Sequence, residues 1–160
     1  MSDASGIARV HVDTWRTTYR GLVSDECLDK LSYDRSEQTV RRRIGEPGAR
    51  SFTYVAEDEA GEIVGFAIGG PNRERETAHE GELWAIYVAE AHQREGIGGA
   101  LVRAVAQRLV QTGARAMVVW VLRRAVIGYS TSGWVGRSSR RAKRPSSERS
   151  TTRSHMGGTM

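Results

Sequence analysis

Apolar residues recur along this chain with spacings that change from segment to segment. From Ala4 to Arg20 they fall at Ile7, Val10, Val12, Trp15 and Tyr19, close to the period of a helix. Ser24-Asp25-Glu26 has the form of an N-cap followed by early acids and opens a second helical stretch. A third runs through the charged region Asp34–Ile44. The pattern then turns strand-like. Phe52-Thr53-Tyr54-Val55-Ala56 and Ile63-Val64-Gly65-Phe66-Ala67-Ile68, joined by a turn at Ala60-Gly61, predict a hairpin. Pro71 to Glu80 is polar and without apolar period, and Leu83–Val88 predicts a third strand. Beyond it, Leu101, Val105 and Leu109 share a face with Val102, Ala106 and Val110. Arg103, Gln107 and Gln111 take the other face of this predicted helix, which stops at Gly113. Ala116–Leu122 is a continuous apolar run of the kind found in strands buried on both faces.

Between the third strand and its helix lies Gln93-Arg94-Glu95-Gly96-Ile97-Gly98-Gly99-Ala100. A strand, a glycine loop and a helix start together make a pyrophosphate cradle. Several backbone N–H groups are unobstructed by side chains, and the positive end of a helix dipole points the same way. Two other phosphate-binding patterns fit poorly. A dinucleotide fingerprint wants a third glycine where Leu101 stands, and a carboxylate after the second strand, which instead ends Leu122-Arg123-Arg124. A P-loop wants Gly-Lys-Ser/Thr, and Gly99-Ala100-Leu101 does not supply it. The bland reading is a tight connection whose glycines serve only packing.

The segment resembles the GCN5-related N-acetyltransferase (GNAT) superfamily, whose signature Arg/Gln-x-x-Gly-x-Gly/Ala is met by Gln93, Gly96 and Gly98. Trp15-Arg16-x-x-Tyr19-Arg20-Gly21, followed by Leu28 and Leu31, is similar to the first helical pair of many bacterial members. The resemblance spans about Gly6 to Leu122. It implies an α/β (α+β) fold with a mixed, mostly antiparallel central sheet flanked by helices, here with incomplete C-terminal strands and the usual first strand missing or barely present. It also implies acetyl-CoA as co-substrate and direct acetyl transfer to a primary amine on a small molecule or peptide. The backbone of Ile86, Tyr87 and Val88 would pair with the pantetheine arm and polarise the thioester carbonyl. Gln93 and the amides of Arg94, Gly96, Ile97, Gly98 and Gly99 would hold the pyrophosphate, and Trp15 and Tyr19 would border the acceptor. Glu82 is the candidate base, taking the ammonium proton through water with its pKa raised by partial burial. Glu80 is a weaker substitute, and His79 and His92 recommend themselves by pKa alone. Family members supply the acid from a tyrosine in a later helix; Tyr129 lacks that context and is not given the role.

Composition sharpens this picture mainly at the C-terminus. The chain has 160 residues and a net charge of +5, unevenly spread. Residues 123–160 hold nine Lys/Arg and one Glu, whereas residues 1–122 hold 15 basic and 18 acidic residues. A core over 1–122 and a basic, Ser/Arg-rich, largely disordered tail over 123–160 are therefore expected. One reading gives that tail to non-specific nucleic-acid binding; a solvated tail is the plainer one. The lone Cys27 suits a reducing cytoplasm, no run reaches transmembrane length, and the scattered histidines offer no metal spacing. Family dimers often use C-terminal strands, which leaves a homodimer open.

The tail carries one further pattern. With codons regrouped to begin at the third base of each present one, Gly128 to Gly136 can encode Leu-Phe-Tyr-Glu-Arg-Leu-Gly-Gly, similar to the missing family helix and turn. At the same offset His155 to Met160 can encode Tyr-Gly-Trp-Asp-Asp. A frameshift between about Leu122 and Gly128 is therefore expected, leaving either an impaired acetyltransferase or an inactive remnant that binds coenzyme A.

Overall fold

A computed structural model describes residues 3–46, 50–74, 79–122 and 134–139. The helical spacing at the start of the chain becomes α1, Asp3–Thr18, which buries Ile7, Val10 and Val12. α2, Asp25–Asp29, follows Ser24, whose side chain makes no capping bond. Ser32 does cap α3, Tyr33–Gly45, by accepting from the Arg35 N–H at 3.5 Å. α3 buries no residue of its own and lies beside α1, with His11 Nδ1 3.1 Å from Ser36 Oγ.

The strand-like segments form one sheet. β1, Phe52–Glu57, and β2, Ile63–Pro71, are the expected antiparallel hairpin, and β3, Gly81–Val88, adds antiparallel to β2. β4, Met117–Leu122, runs parallel to β3, and β5, Trp134–Ser139, runs antiparallel to β4. The order β1-β2-β3-β4-β5 is the mixed, mostly antiparallel sheet that the sequence predicts.

Helices cover the two faces of this sheet. α4, Ile97–Gln111, buries Ile97, Leu101, Val105 and Leu109 against Ala56, Val64, Ala67 and Leu83. Each such side chain contributes roughly 1.5–3 kcal/mol when fully buried. Glycines let the helix come this close: a Cβ on Gly69 would stand 2.6 Å from Val105, and one on Gly81 2.8 Å from Leu109. On the other face α1 packs Ile7 and Val10 onto Ile63, Phe66 and Ile68.

One expectation needs correction. β4 is not buried on both faces: Val118 is buried, but Met117, Val119 and Trp120 are only half-buried. It pairs with β3 over only three residues, and the helices cover mainly β1 to β3. Of residues 123–160, Trp134–Ser139 are described, as β5 paired with β4. The rest of 123–160, including Tyr129 and most of the codon-shifted pattern, lies outside the described residues.

Candidate active site

The glycine loop is built as a turn of alternating backbone hand. Arg94 has φ 68° and Gly96 φ 85°, both left-handed, and Gly96 is the N-cap of α4. Holding a non-glycine residue there costs on the order of 1–3 kcal/mol, a strain that collects at ligand clamps. The first intrahelical bond is Ala100 N–H to Gly96 C=O at 3.0 Å, so the N–H groups of Ile97, Gly98 and Gly99 point out of the helix end. A Cβ on Gly98 would meet nothing nearer than Val88 Cγ2 at 4.0 Å, and one on Gly99 only the Arg103 guanidinium at 3.5 Å. Among the described residues, packing does not call for glycine at either position, and the bare backbone leaves room for an external anion. Gln93 ties the loop to the strand end by donating from Nε2 to the Val88 carbonyl at 3.2 Å.

The strand feeding this loop opens on one side. β3 and β4 pair only from Gly81–Leu83 to Met117–Val119. From Trp84 onward β3 keeps β2 as its neighbour, while Trp120 to Leu122 of β4 pair with β5. The register between β2 and β3 slips just there. Ile68 faces Ala85 and Gly69 faces Leu83, so Trp84 is an extra residue on β3. Such a bulge bends the strand away from its partner. Among the described residues, Ile86, Tyr87 and Val88 thus sit on an open strand edge that leads to the α4 N-terminus.

The predicted acceptor residues meet the middle of that edge. Trp15 Nε1 donates to the Tyr87 hydroxyl at 2.9 Å, and the Trp15 and Tyr19 rings are 4.7 Å apart. His11 completes the group, its ring 5.3 Å from Tyr87 and 5.7 Å from Trp15. Burial lowers the His11 pKa below 6.5 and raises that of Tyr87 above 10, each favouring the neutral form. His11 was not singled out by sequence, because a lone histidine within a helical stripe carries no spacing signal.

Glu82 lies at the fork itself, paired with Val118. It is not partly but almost wholly buried, at 1% exposure, and it is not alone. Oε2 accepts from the Arg73 backbone N–H at 2.9 Å, Nε donates to both oxygens at 3.1 Å, and the terminal guanidinium nitrogen bonds Oε1. Glu80 instead accepts from the N–H groups of Arg115 and Ala116, which hold its carboxyl below the ordinary range. That makes it a tie between the loop and β4. His79 is half-buried with Nδ1 unpartnered among the described residues, and His92 is 3.4 Å from Glu95. Arg73 was invisible in the sequence, being one charge in an aperiodic loop.

Known proteins resemble this chain in sequence and in fold. Over 122 residues it is 40% identical to the uncharacterized N-acetyltransferase YuaI of Bacillus subtilis (strain 168), covering 76% of this chain and 68% of that protein. The GCN5-related N-acetyltransferase from Kribbella flavida is 24% identical with a TM-score of 0.56, over 73% of this chain and 65% of that one. The PaiA N-acetyltransferase from Thermoplasma acidophilum, in complex with coenzyme A, is 18% identical with a TM-score of 0.56, over 78% and 77%. At these identities the two structures speak to the fold. The family model described as "Acetyltransferase (GNAT) family" matches residues 11–127, most of the chain and all of the site built above, and the chain belongs to that family.

Proposed function

We propose that the chain binds acetyl-CoA at the α4 N-terminus and passes its acetyl group directly to a primary amine. The observation that carries this reading is the combination of an anion cradle at Arg94–Gly99 with the open backbone edge of Ile86–Val88 leading to it. Helix-dipole charge and free N–H groups suit a pyrophosphate, and an extended pantetheine arm suits a strand edge. The names of YuaI and of the PaiA complex support the same assignment.

In this reading the amine nitrogen attacks the thioester carbonyl, whose oxygen is polarised by an N–H of the β3 edge. The tetrahedral oxyanion then collapses, the C–S bond breaks, and coenzyme A leaves as a thiol once protonated. Glu82 takes the ammonium proton through water. Its place at the fork supports this role, while its four contacts with Arg73 require the water to reach an oxygen that is already well hydrogen-bonded. Trp15 and Tyr19 border the amine beside Tyr87. The acid is left unassigned.

Thiol release from acetyl-CoA, followed over a panel of primary amines, tests the activity. Glu82→Gln is expected to lower kcat by about 10²-fold or more, the typical contribution of a positioned base, and to leave coenzyme A affinity unchanged. Transfer that proceeds equally well in the variant would remove Glu82 from the chemistry. No coenzyme A binding at all would overturn the reading itself.

A further inference from the structure

A cluster on Trp84 reaches the fork through Arg73, the partner of Glu82. Trp84, the bulged residue of β3, has two guanidinium groups on its ring: Arg73 at 4.9 Å and Arg43, from α3, at 5.5 Å. The two groups can be no further apart than those distances together. The indole N–H is fixed by donation to the Pro71 carbonyl at 3.2 Å. A Cβ on Gly70 would stand 2.9 Å from Trp84 Cζ2, so the glycine there lets the ring come close to β2.

Counting donors shows what this cluster has to spare. Arg73 offers five N–H donors on its side chain. The buried Glu82 takes the edge formed by Nε and one terminal nitrogen. The remaining terminal donors face no partner among the described residues, and the side chain is 57% exposed. Arg43 makes no hydrogen bond or ion pair among the described residues, and its one polar contact is the Trp84 ring. A buried carboxylate that clamps one edge of an arginine leaves the other edge rigid, which suits two-point recognition of a carboxylate. Asp3 and Glu46 share a cavity wall with Arg43, and Glu74 follows Arg73. They reduce the net positive field, so recognition here depends on fork geometry more than on bulk charge.

We propose that Arg73 and Arg43, both held against the Trp84 ring, bind a carboxylate of the acceptor, so that the favoured substrate is an amine that also carries an acid group. This rests on the acetyltransferase reading. Two strand residues, on the order of 7 Å, separate Trp84 from Ile86. The acceptor's amine and carboxylate are therefore several bonds apart, as in an ω-amino acid or a dipeptide, rather than sharing one carbon. Arg73 is then a specificity residue, held in place by its contacts with Glu82.

The test is a nitrogen-detected NMR titration of the full chain, following the Trp84 indole N–H. The probes are 4-aminobutyrate, n-butylamine and inorganic phosphate. 4-Aminobutyrate is expected to shift the resonance and saturate at least tenfold below n-butylamine, and Arg43→Ala to weaken it at least tenfold. Removing Arg73 would strand the buried Glu82, so Arg73→Lys is used in its place; it keeps the charge, loses the fork, and is expected to weaken 4-aminobutyrate at least fivefold. Equal response to n-butylamine, indifference to Arg43→Ala, or phosphate binding as tight as 4-aminobutyrate each overturns the proposal. Coenzyme A added to the same samples reports separately through Gly96, Gly98 and Gly99, so failure of the cofactor reading is distinguishable from failure of this one.

Discussion

Gly98→Ala separates a glycine kept for a ligand from a glycine kept for the fold. Gly98 is the second residue of α4, and a Cβ there meets only Val88 Cγ2 at 4.0 Å, an ordinary contact. The folded chain therefore loses nothing, and it gains the lower unfolded-state entropy of alanine. That is worth about 0.5 kcal/mol in a first turn, against about 1 in a helix interior. For a chain of this size the melting temperature should rise by roughly 1–2 °C. Bound phosphate experiences the opposite. The methyl group stands in front of N–H groups that would make charged hydrogen bonds, each worth about 1.5–3 kcal/mol. Losing one lowers coenzyme A affinity by on the order of 10- to 100-fold. Differential scanning fluorimetry of the free protein and calorimetric titration with coenzyme A measure the two quantities independently. Gly96→Ala is the control: at φ 85° it places an L-residue in a left-handed conformation at a cost of about 1–2 kcal/mol, so it should melt earlier. A Gly98→Ala protein that is more stable and binds coenzyme A as well as before would refute the cradle.

Other positions test the packing, the titration and the tail. Gly69→Ala puts a methyl group 2.6 Å from the fully buried Val105 and should destabilise by about 1–3 kcal/mol in urea unfolding. Adding Val105→Ala should recover part of that loss, giving a double variant more stable than the two single effects combined. His11 titrates below 6.5 when folded and near 6.5 when unfolded, so between those values the unfolded chain binds more protons. Stability should thus fall as pH drops below about 6.5 and level off once the folded histidine is also protonated. His11→Asn should flatten that part of the profile, and an unchanged slope would assign it elsewhere. Sequencing the gene on both strands across codons 115–135 tests the shifted frame. An inserted or deleted base should restore Phe-Tyr-Glu after β4, whereas an intact frame, or early stops at the shifted offset, would end that proposal.

How far the sequence reached depended on whether periodicity or tertiary contact carried the information. α1 and α4 announce themselves because one face of each is apolar at a regular spacing and that face is buried, and the hairpin because its apolar runs flank a turn, with β2 buried on both faces. The glycine loop was legible because Gln93, Gly96 and Gly98 keep a fixed spacing and the φ of 85° at Gly96 calls for glycine. Burial of β4 was overread, since a run such as Met117–Leu122 cannot disclose that its pairing with β3 stops at Val119. Glu82 was found by its place ahead of the apolar strand, but its partner was not. Arg73 reaches it across a loop with no pattern, and Arg43 reaches Trp84 from a separate helix. Tyr87 was chosen for its backbone, while its hydroxyl also anchors Trp15. Contacts between side chains on different elements leave no period to read.

Hydrogen exchange of the full chain with and without acetyl-CoA bears most directly on the central claim, because it requires no acceptor and no intact acid. Slowed exchange is predicted at the amides of 86–88 and 94–99, the open strand edge and the start of α4, with little change in β1. Unchanged exchange at both segments, or protection confined to 123–160, would contradict the assignment of this site to acetyl-CoA.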